Sequence, residues 1–73
     1  MDNTLKLKIF LKKSKLRQEV WDSLTKEKTA TEIAKALDKH RSAISRVFLD
    51  MEKAGFIRCL NSRDSSFRFY VRR

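Results

Sequence analysis

The spacing of apolar residues changes at Gly55, the only glycine in a chain of 73 residues that contains no proline. Before Gly55, apolar side chains recur every three or four residues, which is the period of an amphipathic helix. After it, apolar and polar residues alternate in segments 56–60 and 67–71, as they do in strands. The pattern therefore predicts helices up to residue 55 and a two-stranded hairpin after it, which is an α+β fold.

The N-terminal half is expected to contain two helices. Residues 3–13 allow two interpretations, an alternating strand or a helix, and the shared helical face of Leu7, Phe10 and Leu11 favours the helix. Ser14 either caps a new helix or lies inside a continuous one. The helix predicted over 15–25 has a buried row at four-residue intervals: Leu16, Val20 and Leu24.

A capping box marks the start of the next helix. Thr29 is followed three residues later by Glu32, so that each side chain can bond the backbone N–H of the other residue. The expected buried side of this short helix is Ile33, Ala34 and Leu37. A break at 38–40 then separates it from a helix over 41–54, which ends before Gly55 in the left-handed C′ position. The core-facing residues of this last helix are Ile44, Val47, Phe48 and Met51. Two helices joined by so short a turn predict a helix-turn-helix.

The C-terminal hairpin is expected to pack on these helices, because a two-stranded hairpin alone is marginally stable in water. A polar loop, residues 61–66, joins its strands. In the second strand we expect an inward face of Phe67, Phe69 and Val71 and an outward face of Arg68, Tyr70 and Arg72. Cys59, Trp21 and Phe48 are also expected in the core. Three helices followed by such a hairpin predict a winged helix-turn-helix, with residues 3–13 as an additional N-terminal helix.

The whole chain, residues 1–73, is predicted to be a single domain. Its parts are an N-terminal segment 1–13, a helical core 14–55 and the hairpin, or wing, 56–72.

The motifs Thr29-Ala-Thr-Glu-Ile-Ala-Lys-Ala-Leu37, His40-Arg-Ser-Ala-Ile-Ser-Arg46 and Glu52-Lys-Ala-Gly-Phe-Ile57 resemble the core of winged helix regulators of the ArsR-like and MarR-like type, especially small archaeal ones. The resemblance covers roughly residues 15–72. It implies that the helix over 41–54 enters the DNA major groove and that the wing loop reaches the minor groove or the backbone. Asp38 departs from the pattern, since the family usually has glycine in the turn.

Charge points to a polyanionic partner. The net charge is +9, of which +4 lies in residues 1–28, +1 in 29–55 and +4 in 56–73. After Gly55 every basic residue is an arginine, whose planar guanidinium suits phosphate oxygens. Nucleic acid is therefore favoured over a membrane surface or an acidic protein.

Candidate DNA contacts follow from helical geometry and charge. Arginines and short hydroxyl residues on the outer side of the last helix can approach base edges, although Arg46 can equally contact phosphate. This recognition set is Arg41, Ser42, Ser45 and Arg46. The expected backbone contacts are Thr31, Lys39 and His40. The expected wing contacts are Arg58, Ser62, Arg63, Ser65 and Arg68, with Arg63 entering a narrow minor groove or remaining in a solvated loop. Arg58 and Arg68 are expected to pair across the outer face of the strands and to touch backbone phosphate; the alternative is that Asp64 neutralises one of them.

Other chemistry has little support in the sequence. A single cysteine excludes an internal disulfide or a multi-cysteine zinc site, and it fits a reducing cytoplasm, although Cys59 can also be a redox thiol. His40 has no ligand partner in a metal-binding spacing, and no catalytic or phosphate-loop motif occurs. We therefore expect no enzyme activity, no cofactor, no metal and no small-molecule substrate. No apolar run has membrane-spanning length, and Lys6 and Lys8 interrupt any secretion signal.

The predicted function is sequence-specific binding of double-stranded DNA, as a cytoplasmic transcriptional regulator. Because so small a domain contacts few base pairs, a homodimer is expected, with residues 3–13 as the dimerisation segment. A protein–protein docking module, an RNA binder that stacks a base on Tyr70, and an architectural DNA binder are the alternatives. Binding of residues 5–16 to a membrane surface has the least support.

Overall fold

The computed structural model describes residues 3–63 and 68–73. The described residues form four helices followed by a two-stranded antiparallel hairpin, which confirms the predicted α+β class. In chain order the elements are α1 (Asn3–Lys12), α2 (Lys15–Ser23), α3 (Ala30–Leu37), α4 (Arg41–Lys53), β1 (Ile57–Cys59) and β2 (Tyr70–Arg72).

The N-terminal segment is a helix, so the alternative of a strand was wrong. Leu11 is buried, and Leu7 and Phe10 pack half-buried against the core, as the helical spacing predicted. Leu5 and Ile9 lie on the other side of α1 and are exposed. Helical spacing prevails over strand alternation because it gives α1 one apolar face, and this face packs against α2.

Ser14 separates α1 from α2 as a helix cap. Its backbone is extended, with φ −155°, and its hydroxyl accepts a 3.4 Å hydrogen bond from the backbone N–H of Arg17. The helix α2 ends at Ser23 rather than near residue 25. Leu24 there leaves the helical conformation and buries its side chain, while its N–H still donates to the Val20 carbonyl at 3.1 Å.

The capping box that begins α3 is formed as predicted. The Thr29 hydroxyl accepts from the Glu32 N–H at 3.2 Å, and a Glu32 carboxylate oxygen accepts from the Thr29 N–H at 2.9 Å. The other end of α3 is closed by Asp38, whose backbone is left-handed with φ 55°. The Lys39 N–H then donates to the Ala34 carbonyl at 2.9 Å, which satisfies a terminal helix carbonyl.

The helix α4 runs through the centre of the molecule. Its buried row contains the four predicted residues, Ile44, Val47, Phe48 and Met51. Gly55 follows the helix with φ 85°, and the Phe56 N–H donates to the Met51 carbonyl at 2.9 Å. The end of α4 is therefore the predicted glycine-dependent C-terminus, and the chain turns there into β1.

The two strands are shorter than predicted, and the inward and outward faces of β2 are reversed. Tyr70, expected on the solvent side, is only 6% exposed, and its ring centroid lies 4.6 Å from that of Phe48. Phe69, expected in the core, is 37% exposed, and Val71 is half-buried. Phe67 lies outside the described residues. The assignment of Phe69 to the core was therefore wrong, as was the placement of Tyr70 outside.

Backbone pairing on both sides of Tyr70 explains the reversal. Tyr70 pairs with Cys59 of β1, and on its other edge it exchanges two hydrogen bonds with Lys28, at 2.9 and 3.1 Å. This position between two partners sets the Tyr70 ring against α4. Since neighbouring strand residues point to opposite faces, burial of Tyr70 turns Phe69 and Val71 away from the helices.

Arg72 shares the inward direction of Tyr70, and no acidic residue among those the structure describes forms an ion pair with it. Its guanidinium lies 4.2 Å from the centre of the Trp21 ring and donates to the Trp21 carbonyl. Trp21 is half-buried and packs against the core. A cation–π contact of this kind allows a charged residue to lie against the helices, a position that the alternating pattern assigns to an apolar side chain.

The hydrophobic core of the described residues draws on every helix and both strands. Its largest fully buried side chains are Phe48, Leu24, Ile33, Ile44, Met51, Ile57 and Val20. Cys59 packs half-buried against this cluster. The core holds α3 and α4 together and sets the hairpin beside them, so the start of α4 and the hairpin lie on a common side of the molecule.

Candidate nucleic-acid interface

The first turns of α4 carry two rows of polar side chains. With 3.6 residues per turn, Arg41 and Ser45 lie in one row, and Ser42 and Arg46 lie in the next row, farther from the core. Arg41, Ser42 and Arg46 are exposed, whereas Ser45 is half-buried. The predicted common outer side therefore consists of two distinct rows: the inner row, Arg41 and Ser45, and the outer row, Ser42 and Arg46.

The turn before α4 adds two more exposed basic residues. Lys39 and His40 are both exposed, and His40 is the N-cap residue with φ −70° and no side-chain capping bond. The first N–H groups of α4 therefore donate no hydrogen bond to the His40 ring, and the positive end of the helix dipole lies beside these side chains. This end of the helix is suited to an anionic partner.

A groove lies between the start of α3, the inner row of α4 and the hairpin. Its volume is 330 Å³. It is lined by Thr29, Ala30, Thr31, Arg41, Ser45, Phe48, Leu49, Arg68 and Tyr70. The structure thus brings together three predicted groups of DNA contacts: Thr31 from the backbone set, Arg41 and Ser45 from the recognition set, and Arg68 from the wing set.

Tyr70 forms part of this groove and connects it to the core. Burial raises the pKa of its hydroxyl above the ordinary value of 10.0, while a hydrogen bond from Arg68 acts in the opposite direction. Arg68 itself is exposed, and its interaction with this hydroxyl links it to a buried aromatic residue. Because Tyr70 is buried, it cannot be the base-stacking residue that the RNA alternative requires. Among the described residues of the hairpin, the exposed aromatic is Phe69, which directly precedes β2.

The wing is described in part. Ser62 and Arg63 are exposed, whereas Asp64 and Ser65 lie outside the described residues. At the base of the loop, the Asn61 side-chain oxygen accepts a 2.7 Å bond from the Phe69 N–H. Leu60 and Phe69 also pair here through a 2.8 Å backbone bond. These contacts hold the two arms of the hairpin together on the side of the loop.

The expected pairing of Arg58 with Arg68 was wrong. Arg58 is exposed on β1, and the residue opposite it is Val71. The strand register accounts for the difference, because Arg68 precedes β2 and bends towards the groove instead of continuing the ladder. Arg58 and Arg68 are therefore separate cationic groups.

Leu49 is a residue of this surface that sequence reasoning missed. It is 50% exposed and lines the groove next to the inner row. Its position could have been found from spacing, because it follows Arg41 and Ser45 at successive four-residue steps of α4.

No protein-family model, curated protein or solved structure matches this chain.

Two further kinds of site have no candidate among the described residues. Among the described residues, no group of three or more His, Cys, Asp or Glu side chains is placed to hold a metal ion. No helix in the described part of the chain has the length and apolar character needed to cross a bilayer.

Proposed function

We propose that this chain is a winged helix domain that binds double-stranded DNA with sequence preference and acts as a transcriptional regulator. In this proposal the start of α4 enters the major groove, and the hairpin loop contacts the adjacent minor groove or backbone. The observation that carries the proposal is the exposed, basic start of α4, where Arg41, Ser42 and Arg46 project beyond the core-facing row. The order of two helices, a short turn and a following hairpin is compatible with a winged helix.

Charge supports nucleic acid as the partner. The exposed basic residues around α4 come from the turn, the helix and the hairpin, and the chain as a whole carries a net charge of +9. Each Lys or Arg that neutralises a phosphate releases condensed counterions, so DNA affinity should fall steeply as salt is raised. The distribution of basic side chains over several elements favours an extended polyanion over a small anionic ligand.

A homodimer is the proposed working unit. One module of this size covers little DNA, and two copies on an inverted repeat double the contacts. The surface that supports dimerisation is the exposed side of α1, where Leu5 and Ile9 are 60% and 53% exposed. Their four-residue spacing places them on one stripe that the core of a single copy leaves uncovered.

The experiment that tests DNA recognition is selection of bound sequences from a random duplex library at near-physiological salt. The wild-type chain is compared with Ser42→Ala and Arg46→Ala, which change the outer row of α4. Lys15→Ala is the control, because it also removes one exposed cation but lies at the start of α2, outside the groove and the exposed side of α1. We expect an enriched motif that broadens in at least one outer-row variant and is unchanged in the control.

Two other results would redirect the proposal. Equal binding to every duplex, without enrichment, indicates an architectural DNA binder, the alternative that needs no base contacts. Absence of duplex binding favours a protein-docking module and contradicts the proposed function.

A further inference from the structure

The two rows of α4 differ in what surrounds them. The outer row, Ser42 and Arg46, is exposed, whereas the inner row, Arg41 and Ser45, lines the groove beside the hairpin. A helix in the major groove presents its outermost side chains to the base edges, while side chains set to one side meet the phosphates that border the groove. The two rows are therefore placed for different parts of the DNA.

The chemistry of the groove is that of a phosphate site. Two arginines from different elements, Arg41 of α4 and Arg68 of the hairpin, line it together with the hydroxyl residues Thr31 and Ser45. None of its described lining residues is acidic. Guanidinium groups and hydroxyls are the groups that bind phosphate oxygens, and the positive end of the α3 dipole lies beside them.

The carboxylate closest in sequence to the start of the groove is Glu32. One of its oxygens accepts from the Thr29 N–H at 2.9 Å in the capping box, and the residue is absent from the groove lining. This carboxylate therefore belongs to the cap of α3 and is not part of the groove lining.

From this arrangement, and resting on the proposed function, we propose that the groove holds one phosphodiester group of the DNA backbone, with Arg41 and Arg68 as its two cationic ligands. Ser42 and Arg46 then contact the bases. Arg41, which the sequence predicted as a base contact, is then a contact to the DNA backbone. Arg68, a hairpin residue, then belongs to the same site as the helix-turn-helix.

Arg68 is positioned for this role by Tyr70. Both residues line the groove, and the Tyr70 ring is buried against Phe48. The Arg68 guanidinium acts on the Tyr70 hydroxyl and lowers its pKa, against the effect of burial. The interaction with the buried tyrosine restricts Arg68 before DNA is present. Arg68 therefore loses less conformational entropy when it binds phosphate.

The test uses the full chain and duplexes that carry its selected motif, in which single backbone phosphates are replaced in turn by neutral methylphosphonate. Arg41→Ala and Arg68→Ala should each weaken binding to all sequences by about tenfold, the usual size of a charged hydrogen bond. Each should also make the negative slope of log affinity against log salt shallower by about one, with the selected motif unchanged.

The methylphosphonate series identifies the site itself. At one backbone position the neutral substitution should weaken wild-type binding, and the further loss that it causes should be clearly smaller in either arginine variant. If every substitution is additive with both variants, or if Arg41→Ala broadens the motif at one base position, the phosphate site is contradicted although the proposed function stands. Failure of the wild-type chain to bind any duplex contradicts the proposed function as well.

Tyr70→Phe tests the positioning role, since it removes the hydroxyl and keeps the ring. Affinity should fall less than in Arg68→Ala, and the salt slope should remain that of the wild-type chain because the arginine is still present. Wild-type affinity in Tyr70→Phe would show that the hydroxyl does not position Arg68.

Discussion

Asp38 is a residue whose backbone conformation is unfavourable for its side chain. Apart from Gly55, it is the residue with positive φ among those described, and it closes α3 in the left-handed region. Asp tolerates this region better than most residues but still less well than glycine. Its carboxylate also lies at the negative end of the α3 dipole, which is a second unfavourable interaction.

Asp38→Gly should therefore raise the free energy of unfolding, by about 0.5 to 1 kcal/mol after the greater entropy of an unfolded glycine is subtracted. Asp38→Asn is the matched control, because it removes the charge and keeps a side chain at the left-handed position. We expect the order Gly, Asn, Asp from most to least stable in urea denaturation. A glycine variant less stable than the wild-type chain would contradict this explanation of the turn.

Tyr70 should make stability depend on pH above the ordinary tyrosine range. Because burial raises its pKa in the folded chain above 10.0, the protonated hydroxyl contributes stability that is fully present below pH 10.0. That contribution is lost as the pH rises through the folded pKa, since the unfolded chain ionises more readily. Tyr70 is the only tyrosine of the chain, so tyrosinate absorbance measures it directly.

We expect a titration midpoint above 10.0 for folded Tyr70 and a smaller loss of stability at alkaline pH in Tyr70→Phe. The comparison between the two chains isolates the tyrosine, because its hydroxyl is the one group that differs between them. A midpoint at or below the ordinary value would contradict the burial of its hydroxyl.

At the scale of the element, α3 depends on its capping box. The helix has eight residues, so its intrinsic stability is small and its ends matter. Thr29 is 7% exposed and bonds the Glu32 N–H, while Glu32 bonds the Thr29 N–H. The same cap sets the start of α3 beside the groove that contains Arg41 and Arg68.

Thr29→Ala should lower the free energy of unfolding by about 1 to 2 kcal/mol, because it leaves a helix N–H without its partner. Thr29→Ser keeps the accepting hydroxyl and should restore most of this loss. Chemical denaturation of the three chains measures the difference. Equal destabilisation by Ser and Ala would mean that packing of the threonine methyl, and not the cap, stabilises this end.

At the scale of the whole molecule, α1 supplies an uncovered surface. Its inner side includes buried Leu11, whereas Leu5 and Ile9 are exposed among basic residues such as Lys6 and Lys8. Association of two copies through α1 would bring these like charges together. Salt should therefore strengthen the proposed dimer by screening, and it should weaken DNA binding by competing with the protein for phosphates.

The double variant Leu5→Ser with Ile9→Ser should be monomeric by sedimentation equilibrium and should unfold at the same temperature as the wild-type monomer. Both side chains are exposed in one copy, so their loss leaves the core intact. Leu11→Ala is the control for the inner side of α1 and should cost about 2 to 5 kcal/mol of stability. An undiminished dimer in the double variant would exclude this surface.

Signals that act over a few residues made most of the helical structure predictable. Thr29 and Glu32 meet within one turn of α3, and Gly55 supplies the left-handed end of α4 by itself. Exposure of Arg41, Ser42 and Arg46 also followed from helical period alone. Contacts between residues far apart in the chain could not be predicted in this way, because no local signal relates Arg68 to Arg41 or Lys28 to Tyr70.

The sequence by itself determined the order of three helices and a hairpin after residue 14, the ends of α3 and α4, and the exposed basic start of α4, because short-range hydrogen bonds and helical period control them. Only the tertiary structure decided which face of β2 lies inward. Alternation defines two faces without choosing between them. Pairing of Tyr70 with both Lys28 and Cys59, together with the Trp21 ring that accepts the cation of Arg72, turned the Tyr70 face towards the helices and brought Arg68 to the groove.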